Sequence, residues 1–115
     1  MCLVSKLDLA VGEYIARIEE WGGIRGLISA PGEPKNDPKA QMLKLMEEVG
    51  ETARALAYND QEGLKDGIGD CVVVLTILAK QCDTSLVDCI DAAWDEIKDR
   101  TGKLEDGLFK KHSDL

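Results

Sequence analysis

The sequence predicts an all-α protein, a bundle of four helices joined by mostly short connections. Four segments carry apolar residues every three or four positions, and helix-capping residues precede three of these segments. No segment shows the alternation of apolar and polar residues that indicates a half-buried strand. With 115 residues, the chain is expected to form a single domain over 1–115 that is long enough for a hydrophobic core.

The first two predicted helices are separated by a long loop. The first covers about residues 5–21, and Gly22-Gly23 is expected to end it. The loop extends to Asp37, an N-cap acid followed by Pro38 at the first position of a second helix over about residues 38–58. The expected core stripe of this second helix consists of Met42, Leu45, Met46, Val49, Ala53 and Leu56.

The third and fourth helices are predicted over about residues 61–82 and 85–101. Asn59-Asp60 precedes the third helix, which contains the apolar run CVVVLTILA and is therefore expected to be central and buried. Thr84 or Ser85 caps the fourth helix, and Gly102 is expected just beyond its end. Residues 102–115 are expected to form a C-terminal tail.

Composition and charge exclude several classes of function. With 14 basic and 22 acidic residues, the net charge is -8, which disfavours nucleic-acid polymers and anionic membranes as partners. The nine-residue apolar run is too short to span a membrane, and no apolar signal region is evident near the start. We therefore expect a cytoplasmic protein.

The cysteines and the single histidine do not fit the common transition-metal sites. Cys71, Cys82 and Cys89 lie in apolar helical contexts, where small core residues are expected. Neither these residues nor Cys2 forms a CxxC pair, which disfavours structural zinc. A di-iron bundle needs Glu-x-x-His pairs, and His112 is the only histidine.

Acidic residues cluster on the second and third helices. Glu47, Glu48 and Glu51 lie within about one helical turn, while Asp66 and Asp70 are four residues apart and share a face. Two like charges about 4 Å apart repel by about 4 kcal/mol at an effective dielectric of about 20. A hard divalent cation relieves this repulsion, and Mg²⁺ prefers oxygen ligands. The pattern predicts a Mg²⁺ site between two helices, where Mn²⁺ is a possible substitute.

EEVGE at 47–51, followed by an acidic position at Asp70 on the next helix, resembles the MazG-like, all-α nucleoside triphosphate pyrophosphohydrolases. Their signature is EExxE and then ExxD, and the resemblance extends from about Trp21 to Lys103. The chain departs from the signature at Gly67, where the family has glutamate, and carries Asp66 instead. The segment KDGIGDCVVVL is similar to phage-type or mobile-element members.

The resemblance implies a Mg²⁺-dependent enzyme that cleaves a (d)NTP into a (d)NMP and pyrophosphate, in nucleotide-pool house-cleaning. Glu48, Glu51 and Asp70 would hold the metal, and Asp66 would add a ligand or hold a metal-bound water. Glu47 would orient or deprotonate the attacking water, or ligate a second ion. Single roles within this set of catalytic and metal residues stay open.

The resemblance also implies contacts to the substrate. IKDRTGK at 97–103 is similar to a basic segment of the family, so Lys98, Arg100 and Lys103 are expected to meet phosphate oxygens. Asp95 stands where the family leads us to expect asparagine. Lys44 is a further candidate for phosphate, and Trp21 is a candidate for stacking on the base.

The sequence leaves the substrate and the catalytic role open. The same superfamily includes dUTP/dCTP-type and phosphoribosyl-ATP pyrophosphatases, and a non-catalytic helical interaction module would carry its acids only as surface. Family members work as dimers or tetramers, and a nearly all-apolar helix among four short ones also predicts a homo-oligomer. The candidates for burial against a second copy are Leu27, Ile28, Trp94, Leu108 and Phe109.

Overall fold

Four α-helices and a terminal β-hairpin make up the computed structural model, which describes residues 10–112. The helices are α1 (Val11–Ile24), α2 (Pro38–Ala57), α3 (Gln61–Gln81) and α4 (Leu86–Ile97). The mostly helical architecture confirms the all-α prediction. The predicted helical positions 5–9, Cys2 and the last three residues lie outside the described part of the chain. No helix within residues 10–112 is both long and apolar enough to cross a membrane.

Short-range capping sets the starts of three helices. The Asp37 carboxylate accepts a hydrogen bond from the Lys39 backbone N–H at 2.9 Å, with Pro38 in the first turn of α2. Asp60 accepts from the Gly63 N–H at 2.9 Å at the start of α3. Ser85, rather than Thr84, accepts from the Asp88 N–H at 3.1 Å at the start of α4.

Helix α1 continues past the glycine pair that was expected to end it. It extends to Ile24, and Gly22 is buried within it. A Cβ at Gly22 would lie 2.9 Å from Ile28 Cδ1 and 3.5 Å from Ile77 Cγ1. Gly22 therefore lets the loop and α3 approach α1 closely, and it does not break the helix.

Helix α3 is the central element, as predicted from its apolar run, but Val72 and Leu75 of that run are exposed in the single chain. It packs against α2, α1 and α4, and it supplies most of the buried apolar side chains among the described residues. The buried apolar residues are Ile15, Ala55, Val74, Ile77 and Ala79. The core within one chain is therefore small and centred on the C-terminal half of α3.

The predicted core stripe of α2 is wrong for the single chain except at Leu45, which is half-buried. Met46 is 57% exposed, and Met42, Val49 and Leu56 are also exposed, whereas Glu48 and Ala55 are buried against α3. Helix α4 likewise buries no residue, and its apolar stripe faces outward. Of the cysteines expected in the core, Cys71 is half-buried, but Cys82 and Cys89 are exposed thiols.

The loop between α1 and α2 is tied to the rest of the fold. Asn36 Nδ2 donates to the carbonyls of Gly26 and Leu27 at 2.7 and 2.8 Å, and Gln81 Nε2 donates to the same Leu27 carbonyl at 2.8 Å. Lys35 forms an ion pair with Asp83 at the α3–α4 corner. Leu27 and Ile28, which were expected to face a second copy, are half-buried within the chain.

Residues 102–111, predicted as part of a tail, instead form a β-hairpin. Strands β1 (Gly102–Glu105) and β2 (Leu108–Lys111) are antiparallel, with Leu104 opposite Phe109. Asp106 and Gly107 between them have φ values of 51° and 78°, and a type I′ hairpin turn requires a positive φ at both central residues. The Asp-Gly pair is the sequence signal for this hairpin, and it was not recognised in the prediction of a tail. Gly102 is the first residue of β1 and not a helix-terminating residue, since α4 ends at Ile97.

Candidate active site

The predicted acids lie on two helices that pack closely against each other. Glu47, Glu48 and Glu51 belong to α2, and Asp66 and Asp70 belong to α3. Only three residues connect α2 to α3, so the two helices run in opposite directions side by side. Their contact is the most extensive between any two elements of the described chain.

Gly67 is what allows this close approach. A Cβ at Gly67 would lie 3.1 Å from Thr52 Cβ and 3.2 Å from Thr52 Cα, and it would collide with Thr52 Oγ1. Thr52 Oγ1 is held in place because it donates a 2.7 Å hydrogen bond to the Glu48 carbonyl. The departure from the ExxD pattern therefore has a steric reason: in this chain, α2 occupies the space that a glutamate at position 67 would need.

Glu48 is the buried member of the cluster. It is 6% exposed, and its Oε1 lies 3.3 Å from the Lys44 ammonium. Its Oε2 is buried and has no hydrogen-bond partner among the described residues. A buried carboxylate oxygen without a partner is costly, because it has lost its hydration without compensation.

Mutual repulsion within the cluster affects the pKa values of two acids. The pKa of Glu51 is raised, first by the negative charge of Glu48 and then by partial desolvation and Glu47. The pKa of Asp70 is raised by desolvation first, then by the charges of Asp66 and Glu48. Glu48 on α2 therefore interacts with acids on both helices, which joins Glu51 and Asp70 into one electrostatic unit.

Lys44 is the cation inside this unit. Its ammonium lies 3.4 Å from Glu47 and 3.3 Å from Glu48, one helical turn along α2. The pKa of Lys44 is raised, first by the hydrogen bond to Glu48 and then by the charge of Glu47. Within the chain, Lys44 neutralises only part of the negative charge.

The donor set suits a hard divalent cation, because carboxylate oxygens are the ligands that Mg²⁺ prefers. The unpartnered Oε2 of Glu48 and the raised pKa values of its neighbours both indicate that positive charge is needed here. As the side chains stand, no three Asp, Glu, His or Cys residues of the described range converge closely enough to hold an ion. Glu51 and Asp66 are exposed, so their side chains have room to rotate.

The other predicted substrate residues contact partners outside this cluster. Lys98 pairs with Asp95 at 2.8 Å, Arg100 with Glu96 at 3.1 Å, and Lys103 with Glu105 at 3.2 Å. None of the three contacts the predicted acids through an ion pair in residues 10–112. Trp21 lies in α1 with the guanidinium of Arg25 4.8 Å from its ring centroid.

Two residues that the sequence analysis missed lie beside the acids. Arg54 and Tyr58 line a cavity of about 350 Å³ together with Glu51 and Asp66. Their spacing from Glu51, three and seven residues, was the available signal, since it places them on the same face of α2.

Fold and site together define a class of protein: an all-α domain whose packed second and third helices carry a cluster of carboxylates. The chain belongs to the MazG nucleotide pyrophosphohydrolase domain family, whose model matches residues 36–104. The match covers α2, α3 and α4 and therefore every predicted acid. Members of this family commonly use a divalent metal ion.

A phage protein is similar to part of this chain. The uncharacterized 18.2 kDa protein in the rep-hol intergenic region of Haemophilus phage HP1 (strain HP1c1) is 44% identical over 69 residues. That alignment covers 60% of this chain and 39% of the phage protein, so the chain spans well under half of that relative's length. No solved structure matches the chain.

Proposed function

We propose that this chain is a Mg²⁺-dependent nucleoside triphosphate pyrophosphohydrolase. Water would add across the anhydride bond between the α- and β-phosphates, which gives a nucleoside monophosphate and pyrophosphate. The observation that carries the proposal is the buried, unpartnered Oε2 of Glu48, in a cluster with Glu51 and Asp70 within the family's matched region. We further propose that it works on deoxynucleotides in pool house-cleaning.

Glu48, Glu51 and Asp70 would hold the metal ion, and Mn²⁺ would replace Mg²⁺ with these oxygen donors. Bound metal neutralises the polyphosphate and polarises its phosphorus. Asp66 shares a face of α3 with Asp70 and would add a ligand or hold a metal-bound water. Glu47 is exposed on α2 and would orient the attacking water or accept its proton.

The remaining predicted substrate contacts stay part of the proposal. Lys44 would meet a phosphate once metal relieves its pairing with Glu47 and Glu48. Lys98, Arg100 and Lys103 would reach a substrate only after leaving local ion pairs or from a second copy of the chain. Trp21 is 40% exposed and would stack on a base.

We propose that the protein is a homo-oligomer, a dimer or a tetramer. Met42, Met46, Val49 and Leu56 form a continuous exposed apolar stripe along α2, on the side away from the acids. Val87, Ile90, Trp94 and Ile97 form a second exposed stripe along α4. Monomers rarely expose contiguous apolar patches of this kind. Full burial of one large apolar side chain contributes about 1.5–3 kcal/mol, which would favour assembly.

The test is a panel of nucleoside triphosphates assayed for monophosphate and pyrophosphate. The panel includes dUTP, dCTP and phosphoribosyl-ATP, so it also separates the related pyrophosphatases from one another. Glu51→Gln and Asp70→Asn should each lower turnover by about a hundredfold or more, since each removes charge at the metal. Glu20→Gln, an equivalent change on the exposed face of α1, is the matched control.

Wild-type turnover in both site variants would refute the assignment of the acids. A non-catalytic helical module is the second candidate, because exposed apolar stripes also suit a partner protein. That module would show no turnover on the panel and no stabilisation by Mg²⁺ or Mn²⁺.

A further inference from the structure

The cavity beside the acids contains a cation with no carboxylate partner. Arg54 and Tyr58, from the C-terminal end of α2, line it together with three acids, Glu51, Asp60 and Asp66. Its volume of about 350 Å³ lies within the range of small-molecule sites. Arg54 is the one basic residue among those that line it.

Arg54 differs from the cations expected to meet phosphate. Lys44, Lys98, Arg100 and Lys103 each form an ion pair with an acid nearby in sequence. Arg54 forms none with any residue of the described range. Its positive charge is therefore available to a ligand without the loss of an existing ion pair.

The Arg54 guanidinium lies over the ring of Tyr58. The central carbon of the guanidinium lies 4.9 Å from the ring centroid of Tyr58, which is the C-cap residue of α2. A guanidinium that stacks on an aromatic ring keeps the N–H groups at its edge free to donate. These N–H groups match two oxygens of one phosphate group in a bidentate arrangement.

The position of Arg54 follows from the periodicity of α2. Glu47, Glu51, Arg54 and Tyr58 succeed one another at spacings of four, three and four residues, which places them along one face. A polyphosphate held at the acids by a divalent cation extends past that cation, and its remaining oxygens need further positive charge. Arg54 is one turn from Glu51 on the same face, so it meets this need.

We infer that Arg54 binds a phosphate group of the substrate's polyphosphate and that Tyr58 is its positioning residue. The inference rests on the proposed function, because the acids must bring the polyphosphate to this face. It assigns phosphate recognition within one chain to the end of α2, in addition to the basic segment at 97–103. The ring of Tyr58, and not its hydroxyl, supplies the positioning.

The experiment measures both binding and turnover. Calorimetry with Mg²⁺ and inorganic pyrophosphate reports phosphate binding without chemistry, and the KM for a cleaved nucleotide is measured in parallel. Arg54→Gln should weaken pyrophosphate binding and raise KM by about ten- to a hundredfold, the range for a hydrogen bond between charged groups. Arg54→Lys should recover part of the loss, since it keeps the charge but not the bidentate fork.

Two further variants separate positioning from general structural damage. Tyr58→Phe keeps the ring and should leave KM within about twofold of wild type, whereas Tyr58→Leu should raise it several-fold with kcat little changed. Arg17→Gln, an exposed arginine of α1 outside the cavity, is the control for loss of one positive charge.

The outcomes distinguish this inference from the proposed function. A wild-type protein that cleaves nothing on the nucleotide panel refutes the proposed function before any variant is made. An active wild type whose Arg54→Gln variant keeps pyrophosphate binding and KM within twofold overturns the inference alone. Wild-type protein with no measurable affinity for Mg²⁺–pyrophosphate overturns it as well.

Discussion

Replacement of Gly67 by alanine tests the close approach of α2 and α3 on which the site depends. The new Cβ would lie 3.1 Å from Thr52 Cβ and 3.2 Å from Thr52 Cα, and it would collide with Thr52 Oγ1. Overpacking of this kind costs about 1–3 kcal/mol. Alanine also favours a helix interior over glycine by about 1 kcal/mol, which partly offsets that cost.

Gly69→Ala is the matched control because it gains the same helix propensity without the collision. It lies two residues further along α3, and apart from its chain neighbours and the backbone of its own helix no described atom lies within 4 Å of the added Cβ. Gly67→Ala should therefore be less stable than Gly69→Ala by about 1–3 kcal/mol. Relative to wild type, Gly69→Ala should be more stable by about 1 kcal/mol.

Urea and thermal unfolding at one protein concentration measure the difference. A gap of 1 kcal/mol corresponds to about 4 °C in Tm for a domain near this size. Thr52→Ala in the Gly67→Ala background should recover part of the loss, since it removes Oγ1 but keeps the Cα and Cβ contacts. Equal stabilities of the Gly67→Ala and Gly69→Ala proteins would refute the steric account of Gly67.

Three other predictions concern charge and assembly. Mg²⁺ or Mn²⁺ at a hundred times its Kd should stabilise the wild type by about 2.7 kcal/mol, and Asp70→Asn should lose this stabilisation. A wild-type melting curve that the metal leaves unchanged would contradict the predicted metal site. Without metal, the raised pKa values of Glu51 and Asp70 mean that protonation favours the fold. Stability should thus fall as pH rises from about 4 through the folded pKa values, and Asp70→Asn should flatten this slope in urea unfolding; parallel slopes would argue against it. Met46→Glu should lower the mass measured by light scattering, whereas Val11→Glu, a change at an exposed apolar residue of α1, should leave that mass unchanged. If both variants keep the mass of the wild-type oligomer, the interface lies elsewhere.

The starts of α2, α3 and α4 were predictable because their signals are local, whereas α1 begins at Val11, after an extended Ala10 without a side-chain cap, and not near residue 5 as predicted. Asp37, Asp60 and Ser85 each cap the helix that follows, and each bond spans only two or three residues. The hairpin was predictable in principle from Asp106-Gly107 but was missed, since its strands of four residues each show no clear alternation.

Burial was less predictable than helix position. Periodicity identifies an apolar face on α2 but not the neighbour that covers it, and within one chain α3 covers Glu48 and Ala55 instead of Met46. For the acids, too, the sequence predicts positions within a helix but not contacts between helices. Their spacing predicts a shared face on each helix, while the electrostatic coupling of Glu48 to both Glu51 and Asp70 depends on how α2 and α3 pack.

The sequence by itself determined the helical class, the capping positions and the acidic composition of two faces, since these depend on contacts within a few residues. The tertiary structure decided which carboxylate is buried, why position 67 has no side chain, and that Arg54 shares a cavity with Glu51 and Asp66. Each of these depends on the distance between two helices, which is set by the side chains that meet between them.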